Sequence, residues 1–563
     1  MRHKLKIGLL LDDIDVDAWF YQMISDLQVS PFAEITLVVI NDNDEETQLN
    51  TTLVAKIANN RGRIGYLAVR KLLEELYARL IERSTHLPDA EAAMSSAPLL
   101  ADVPTIKVKT RRGKWSDYFL DDDIEQIRSH DVDLMIRGGF GILRGEILNV
   151  ARFGIWSFHH GDNLRNRGGP AGFWESMASW PETGSVLQIL TEDLDNGSIL
   201  YRSFSCTDTL SVKDNKNNYY WKTQAFMTRK IRELHALGET KFFDKVAHEN
   251  KHLAFYSDRL YTAPNNAELA RLTFNKIREK TKLLLTNRFY RDQWILMFHL
   301  REEFSSSLWR YKKIRPPLDR FWADPHVIYR DNTYYLFIEE YLYATNKGHI
   351  SLITMDEQGN YSEPEVILDT PYHLSYPFVF EHDGHHYMIP ESMENGTVEL
   401  YKCTTFPNQW EFEMNLMEGI NAVDATLHYH ENRWWMFVTV VETDGASSWD
   451  ELFIYYSDEL LSTDWTPHQM NPVISDCKIA RPAGKLFIDN GILYRPSQNC
   501  SHRYGYGFNL NEVEVLSVDE YREKRVSAVE PNWDKNILGT HTFNRCHKLH
   551  VIDAIERRRL KQA

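Results

Sequence analysis

SFHHGDNLRNRGGPAGFW (Ser157–Trp174), TGSVLQ (Thr183–Gln188) and LTEDLDNGSIL (Leu190–Leu200) make up the stretch on which the reading of the fold turns. His159 stands ahead of a glycine-arginine loop, Arg167–Gly168, and Asp195 and Gly197 follow downstream. A histidine oriented by a carboxylate is a base near neutral pH, and Ser157 offers one hydrogen-bond donor beside it. The His159–His160 pair followed by Asp162 also admits a metal cluster. Zinc sites usually bring cysteine or histidines at helical spacing, so no metal is expected. A lone histidine at a strand end is more often structural; the coincidence of spaced features raises His159 above that. Upstream, VDLMIRGGFGILRGEIL (Val132–Leu148) reads as a buried strand, a Gly-rich turn and a short helix.

This pattern resembles the N-terminal catalytic domain of the methionyl-tRNA and amino-sugar N-formyltransferases, whose signature runs Asn-x-His, Arg-Gly and Asp-x-Gly. His159 takes the histidine position, Arg167 and Gly168 the Arg-Gly position, and Asp195 with Gly197 the Asp-x-Gly position, whereas Ser157 stands where the family has asparagine. The turn around Phe140, Gly141 and Leu143 is similar to the family's turn lining the folate pocket. The resemblance implies a parallel-sheet α/β domain and 10-formyltetrahydrofolate as donor, held by Phe140, Gly141, Leu143, Arg167, Gly168 and Gly197. It implies His159 as general base, Asp195 as its orienting group and Ser157 as a partial oxyanion donor. The acceptor would be an amine of a sugar, amino acid or related metabolite. An amine attacking a formyl carbon sheds a proton as an oxyanion forms, so the site needs a base and a donor aimed at the oxygen. Losing one such donor costs roughly 3–4 kcal/mol of transition-state stabilisation, and a serine is too short to reach where the asparagine amide does.

A chain of 563 residues implies more than one domain. Its 64 Lys and Arg against 80 Asp and Glu give a formal charge of −16, which argues against a nucleic-acid partner. Five scattered cysteines without metal spacing point to a reducing compartment, and a cytoplasmic location is the expectation. No stretch has the length and apolarity of a membrane span, and the N-terminus reads as a first strand rather than a signal peptide.

KIGLLL (Lys6–Leu11), WFYQMISDL and ITLVVIN (Ile35–Asn41) read as strand, helix and strand. Asp12, Asp13, Asp15 and Asp17 follow the first strand where a dinucleotide fold would carry glycines, so NAD is not expected. A helix stripe spans Val69–Ile81, and Ala90–Val103 reads as a loop. Two helices follow Leu200, one stopping at Gly238 and one starting after an asparagine, and are expected to connect two domains; Tyr219, Tyr220, Trp221 and Phe226 read as core.

From about residue 290 the chain repeats. WADPHVIYRDNTYYLFIEE, YPFVFEHDGHHYMIPES, DATLHYHENRWWMFVTV and RPAGKLFIDNGILYRPSQ share one hairpin design, and a fainter copy starts near His541. Aligned on their turns, they put Asp324, Tyr376, Asp424 and Arg481 at one position, spaced by roughly 50 residues, the mark of a propeller. The expected layout is a formyltransferase-like α/β domain over 1–205, a helical connector over 206–290 and an all-β five-bladed propeller over 291–563.

The propeller resembles the furanosidase type related to glycoside hydrolase family 43. Trp322-Ala323-Asp324-Pro325 matches that family's catalytic-base motif and Asp424 a second carboxylate, while Arg481 stands where the general acid would be and Glu391 is the nearest substitute. Two carboxylates, one protonated, are needed for hydrolysis, so no turnover of aryl glycosides is expected. The phrases WADP, HLSYPFVFE, MIPES, ARPAG and LYRPSQ also resemble the propeller domain of plant glucosamine inositolphosphorylceramide transferases, which implies glycoconjugate assembly. Asp324, Tyr376, Glu391, Asp424, Arg481 and His541, flanked by Trp322 and Tyr494, are the candidate glycan site. If so, alanine at Asp324, Asp424 or Arg481 should weaken glycan binding and leave the melting temperature nearly unchanged. The alternative for Arg481 is a structural ion pair with Asp324 or Asp424. Two functions stand open: a formyl transferase that uses the propeller for substrate recognition, or a carbohydrate-binding or carbohydrate-processing propeller protein with a repurposed N-terminal domain.

Overall fold

The computed structural model describes residues 3–43, 61–80, 87–113, 116–252 and 254–560. It divides into two compact units, Met1–Ser203 with Thr207–Lys280 and Thr443–Ala446, and Phe204–Cys206 with Thr281–Glu442 and Ser447–Ala563.

The first unit is built on seven strands: β1 (Leu5–Leu11), β2 (Ala33–Asn41), β3 (Thr105–Val108), β4 (Leu134–Arg137), β5 (Ile155–His159), β6 (Glu182–Ile189) and β7 (Ser198–Cys206). Their order is β7-β6-β5-β4-β1-β2-β3. β1 to β5 pair in parallel and β6 runs antiparallel to β5, which makes the sheet mixed. Parallel strands covered on both faces read as unbroken apolar runs. Accordingly Ile7, Leu9 and Leu11 of β1 face one core and Leu10 the other. Gly8 lets Met135 pack close, since a Cβ there would lie 2.2 Å from its Sδ and displace that side chain.

The helices expected to connect two domains instead complete the first core. Val212–Leu237, N-capped by Ser211 Oγ accepting from Asp214 N at 2.9 Å, and Glu239–Glu249 bury Tyr219, Phe226, Ile231, Leu234, Phe242 and Val246 with the helix Ala18–Gln28. Residues 207–280 therefore group with the first unit. Ala90–Val103, expected as a loop, contains a strand, Ala93–Ser95, paired with Asp15–Asp17, and a short helix, Ala97–Leu100, with Pro98 in its first turn. A proline tolerated at a helix start reads as a loop signal in sequence. The helical stripe lies within Arg61–Leu80, where Leu72, Leu76 and Leu80 are exposed; Ile81 falls outside the described residues. The short helix expected before Leu148 is a 3-10 turn, Gly145–Asn149.

The second unit carries five antiparallel sheets. Four are sequential meanders starting at Arg320–Arg330, Ser375–His382, Ala422–His430 and Phe487–Asp489. The fifth is stitched from both ends of the segment: Tyr290–Leu300 pairs with Leu549–Arg559 over the full length of both strands, from Tyr290 with Arg559 to Leu300 with Leu549. This closes a five-bladed propeller and removes the open edges that a row of hairpins would expose. The faint fifth copy near His541 is thus half a blade. Its other half lies some 250 residues earlier in the chain and carries no repeat signature.

Candidate functional site

In the first three blades the innermost strand is interrupted at the same place. Register shifts lie between Ala323 and His326, Ser375 and Phe378, and Val423 and Thr426. Within them Asp324, Tyr376 and Asp424 adopt left-handed backbone conformations, with φ of 51°, 41° and 57°. Such a conformation is costly for a bulky aromatic, and strain of this kind persists where the surroundings over-determine it, often at functional sites. The bulges gather buried polar side chains that an ordinary pleat would alternate between faces.

Two ionic clusters result. Arg481 grips Asp424 with two prongs, Nε to Oδ2 at 2.6 Å and Nη2 to Oδ1 at 3.2 Å, and Gln498 Nε2 donates to the same Oδ2 at 2.9 Å. The guanidinium lies 5.1 Å from the Tyr504 ring centre. Arg481 itself sits in an irregular segment, not on a bulged strand. In the second cluster His541 Nδ1 lies 2.6 Å from Asp553 Oδ2 and its Nε2 3.6 Å from Asp324 Oδ1, while its ring stacks on Trp294 at 4.0 Å. Thr542 Oγ1 donates to Asp324 Oδ1 at 2.7 Å, and the Asp324 N–H donates to Asp553 Oδ2 at 3.1 Å. Asp324, His541 and Asp553 bring ligand atoms within 4.8 Å of one another, spacing that could hold a cation, though in this structure they contact each other.

Burial pushes the Asp324 carboxyl up to about 6; His541 opposes the shift, and Asp553 and Asp424 add to it. Burial also opposes charge on His541, but Asp553 and Asp324 outweigh it and raise its pKa. Glu339, on the second strand of the first blade, was not singled out from sequence. Burial, reinforced by Asp324 and Glu391, holds its carboxyl well above the usual carboxylate range. Burial likewise raises Glu391, which accepts from Ser375 Oγ and Met393 N, each at 2.8 Å. The centre thus brings carboxyl, imidazole and guanidinium groups together, a set suited to a ligand dense in hydroxyls.

The remaining expected residues contact other groups of the protein. Tyr376 is fully buried, its hydroxyl shared with Thr426 Oγ1 at 2.8 Å and accepting from Gly484 N at 2.8 Å. Trp322 donates to Glu340 Oε1 at 3.1 Å, and half-buried Tyr494 stacks on Phe487. Glu339 could have been suspected from the consecutive acids Glu339-Glu340 at the end of an apolar strand, but nothing in the spacing tells which of them faces the centre.

In the first unit, His159 and Asp195 do meet, Nδ1 to Oδ1 at 3.4 Å. A pocket of about 290 Å3 is lined by Ser157, His159, Asp195, Leu143 and Gly168, with Ile142, Leu190 and Leu194 among its apolar walls. His159 Nε2 lies 2.7 Å from the Asn166 carbonyl; since a carbonyl can only accept, this nitrogen carries a proton and donates it there. Ser157 Oγ accepts from Arg137 Nη1 and donates to the Phe158 carbonyl, both at 3.3 Å. Arg167 braces the loop, donating to Asn163 O and Asn196 Oδ1. Gly197 is needed for packing, because a Cβ would meet the Ile189 carbonyl oxygen at 1.9 Å. Phe140, at φ 65°, and Asp195, at φ 49°, are again left-handed. Gly141 N donates to Asp117 Oδ2, and its carbonyl accepts from Arg137. His160 diverges from His159 into an aromatic box, so the two do not form a metal pair.

The geometry defines a multidomain protein with a mixed parallel sheet in one unit and, in the other, a five-bladed propeller whose centre is polar and strained. Residues 315–558 match the family model described as glucosamine inositolphosphorylceramide transferase 1, N-terminal. The chain is 37% identical over 209 residues to glucosamine inositolphosphorylceramide transferase 1 of Arabidopsis thaliana, covering 37% of this chain and 27% of that protein. It is 35% identical over 210 residues to the protein of the same name from Oryza sativa subsp. japonica, covering 37% and 28%. The chain therefore spans little more than a quarter of the length of the curated relatives it matches. Among solved structures, the Bacteroides ovatus xyloglucan PUL GH43B aligns with TM-score 0.32 and 13% identity over 46% of this chain and 59% of that one. Glycinamide ribonucleotide transformylase 1 from Symbiobacterium toebii aligns with TM-score 0.24 and 13% identity over 47% of this chain and 96% of that one.

Proposed function

We propose that this chain acts in glycoconjugate assembly, with the propeller centre binding a sugar or inositol-like polyol and a formyltransferase-like first unit put to another use. The observation that carries the reading is the set of left-handed bulges at Asp324, Tyr376 and Asp424, which gather buried acids beside Arg481 and His541. The matched relatives, named as transferases of glucosamine inositolphosphorylceramide, support a glycolipid or its sugar portion as the ligand class and transferase chemistry as the wider context. Calorimetry of the full chain with myo-inositol and methyl glucosides tests it. Saturable binding of at least one is expected, retained in Glu339→Gln, which keeps a neutral hydrogen-bonding side chain, and weakened about tenfold in Glu339→Ala. No saturable binding of any of these polyols would remove the propeller from carbohydrate recognition.

Acyl transfer in the first unit is a second reading, favoured by the His159–Asp195 approach at the wall of a pocket. The residues present do not fit formyl transfer from 10-formyltetrahydrofolate. One imidazole nitrogen is spent on the Asn166 carbonyl, the other faces Asp195, and no side-chain amide stands at Ser157. We expect no folate-dependent formylation of glucosamine by the full chain, and none in Ser157→Asn, since the amide does not free His159. Turnover in either protein, followed by tetrahydrofolate release, would restore this reading.

A further inference from the structure

Asp324, Tyr376, Asp424, Arg481 and His541 mark one level of the five blades. Four residues further along the same inner segments come Ile328, Phe380, His428, Lys485 and Arg545. At about 3.3 Å per extended residue, this second level lies roughly 13 Å from the first, toward the other end of the ring. Phe380 is buried in the apolar core shared by the second and third blades, and Ile328 is half-buried. Arg545 is engaged, donating to Asp489 Oδ1 at 3.0 Å and to the Glu302 carbonyl at 3.1 Å. His428 and Lys485 are not.

The backbone at Lys485 is held firmly. Its N–H donates to Asn544 Oδ1 at 2.9 Å, and Asn544 Nδ2 donates to the Pro325 carbonyl at 2.8 Å. Gly484, at φ 130°, permits the approach, because a Cβ there would stand 2.1 Å from the Phe543 carbonyl oxygen. The side chain, in contrast, is exposed, and among the described residues no carboxylate or carbonyl receives its ammonium. Burial nevertheless holds that ammonium below the usual lysine range, opposed by Cys546. An ammonium that is reachable and yet short of water sits in a recess rather than on an open surface.

The groups around the recess carry no negative charge to match it. Burial, then His430 and Lys485, bring the His428 pKa down to about 4, so its imidazole is neutral near pH 7. His428 is half-buried, its ring nitrogens bond no protein group, and its ring stacks on His430 at 6.0 Å. His326, sealed from solvent, is held neutral by burial at about 3 and donates from Nδ1 to the Asp324 carbonyl at 3.2 Å. Burial raises the Cys546 thiol, which stays protonated although Lys485 works against the shift. A dehydrated charge without a partner is costly and is ordinarily paired. Acids outnumber bases in this chain, 80 to 64, yet none stands here. The ammonium repels a metal ion, and among the described residues the groups whose ligand atoms lie within 4.8 Å of one another do not include His428 or Cys546. An oxyanion supplies the missing charge, and the N–H of a neutral imidazole adds a second donor.

We propose that this end of the propeller binds a small oxyanion, the carboxylate or phosphate group of a small metabolite, on the Lys485 ammonium with His428 as a further donor. The site is separate from the polyol reading of the propeller centre and does not rest on it. Calorimetry of the full chain with inorganic phosphate and with acetate, at constant ionic strength, tests it, since neither probe is a polyol. Saturable binding of at least one is expected, weakened tenfold or more in Lys485→Gln. The melting temperature of that variant should stay within about 2 °C of the wild type, because the side chain holds no protein group. Acylation of Lys485 by an N-hydroxysuccinimide ester, followed on the wild type by peptide mass spectrometry, is a second readout. Only the neutral amine reacts, so a bound anion should slow the labelling severalfold. The Glu339→Ala protein should bind the anion as the wild type does. Absence of saturable binding of both probes, binding unchanged in Lys485→Gln, or labelling unaffected by saturating anion overturns the proposal. Loss of anion binding in Glu339→Ala would place the anion at the centre and overturn it as well.

Discussion

Arg481→Ala is expected to cost the propeller about 3–5 kcal/mol, because the substitution leaves the buried Asp424 carboxylate without its two-pronged partner. For a unit of this size that is a fall in melting temperature on the order of 10 °C, read by differential scanning calorimetry of the full chain. Adding Asp424→Asn to Arg481→Ala should recover part of the loss, since the uncompensated charge is then gone and asparagine tolerates the left-handed backbone at 424. An unchanged melting temperature in Arg481→Ala would show that the pair is open to solvent and free to receive a ligand. The expectation from sequence, that alanine at these positions would leave stability nearly unaltered, gives way here: the acid of one blade and the arginine of the next complete each other. Binding assays at this centre therefore call for variants that preserve charge balance.

Asp324→Asn carries the second large effect, and its sign is opposite to that of a salt-bridged acid. Burial raises the Asp324 pKa to about 6 in the fold, against about 3.9 in an unfolded chain. Between those values the folded state holds the extra proton, so the stabilising contribution is complete below about pH 4 and is lost as pH rises through about 6. At pH 7 the ionised carboxylate costs on the order of 2–3 kcal/mol, and asparagine escapes that cost while still accepting from Thr542. The melting temperature of the variant, measured from pH 4 to pH 7.5, should therefore gain on the wild type as pH rises. A difference that stays flat over that range would mean that Asp324 is ionised throughout, stabilised by His541. The comparison is best made as a difference between proteins, because Glu340 and Asp553, whose pKa values are lowered, contribute in the opposite sense.

The catalytic pattern read from Ser157 to Gly197 was legible only as spacing. His159 and Asp195 do come together, yet the loop that carries Arg167 also delivers the Asn166 carbonyl to the other ring nitrogen. Spacing reports which side chains can meet and says nothing of which competing polar atom arrives first. The four aspartates after the first strand were visible as an oddity, a turn without glycines. Their setting rests on the glycines of Gly138–Gly139, more than a hundred residues later, which let the turn after β4 close on Asp12.

What the sequence determined by itself is local periodicity and its consequences. Unbroken apolar runs such as KIGLLL set parallel strands covered on both faces, and repeated hairpins about every 50 residues set the blades. The aromatic run at Tyr219–Trp221 announced a core, because a helix that is apolar on so wide a face must be packed. Only the tertiary structure decided that the helices after Leu200 belong to the first core, that Tyr290–Leu300 closes the ring, and that Asp424 spends its charge on Arg481. It also decided the left-handed bulges and brought Glu339 into the centre. The physical reason is one of range: burial pattern follows from the residues a few positions away, whereas the partner of a buried polar group is set by contacts between strands that lie far apart in the chain.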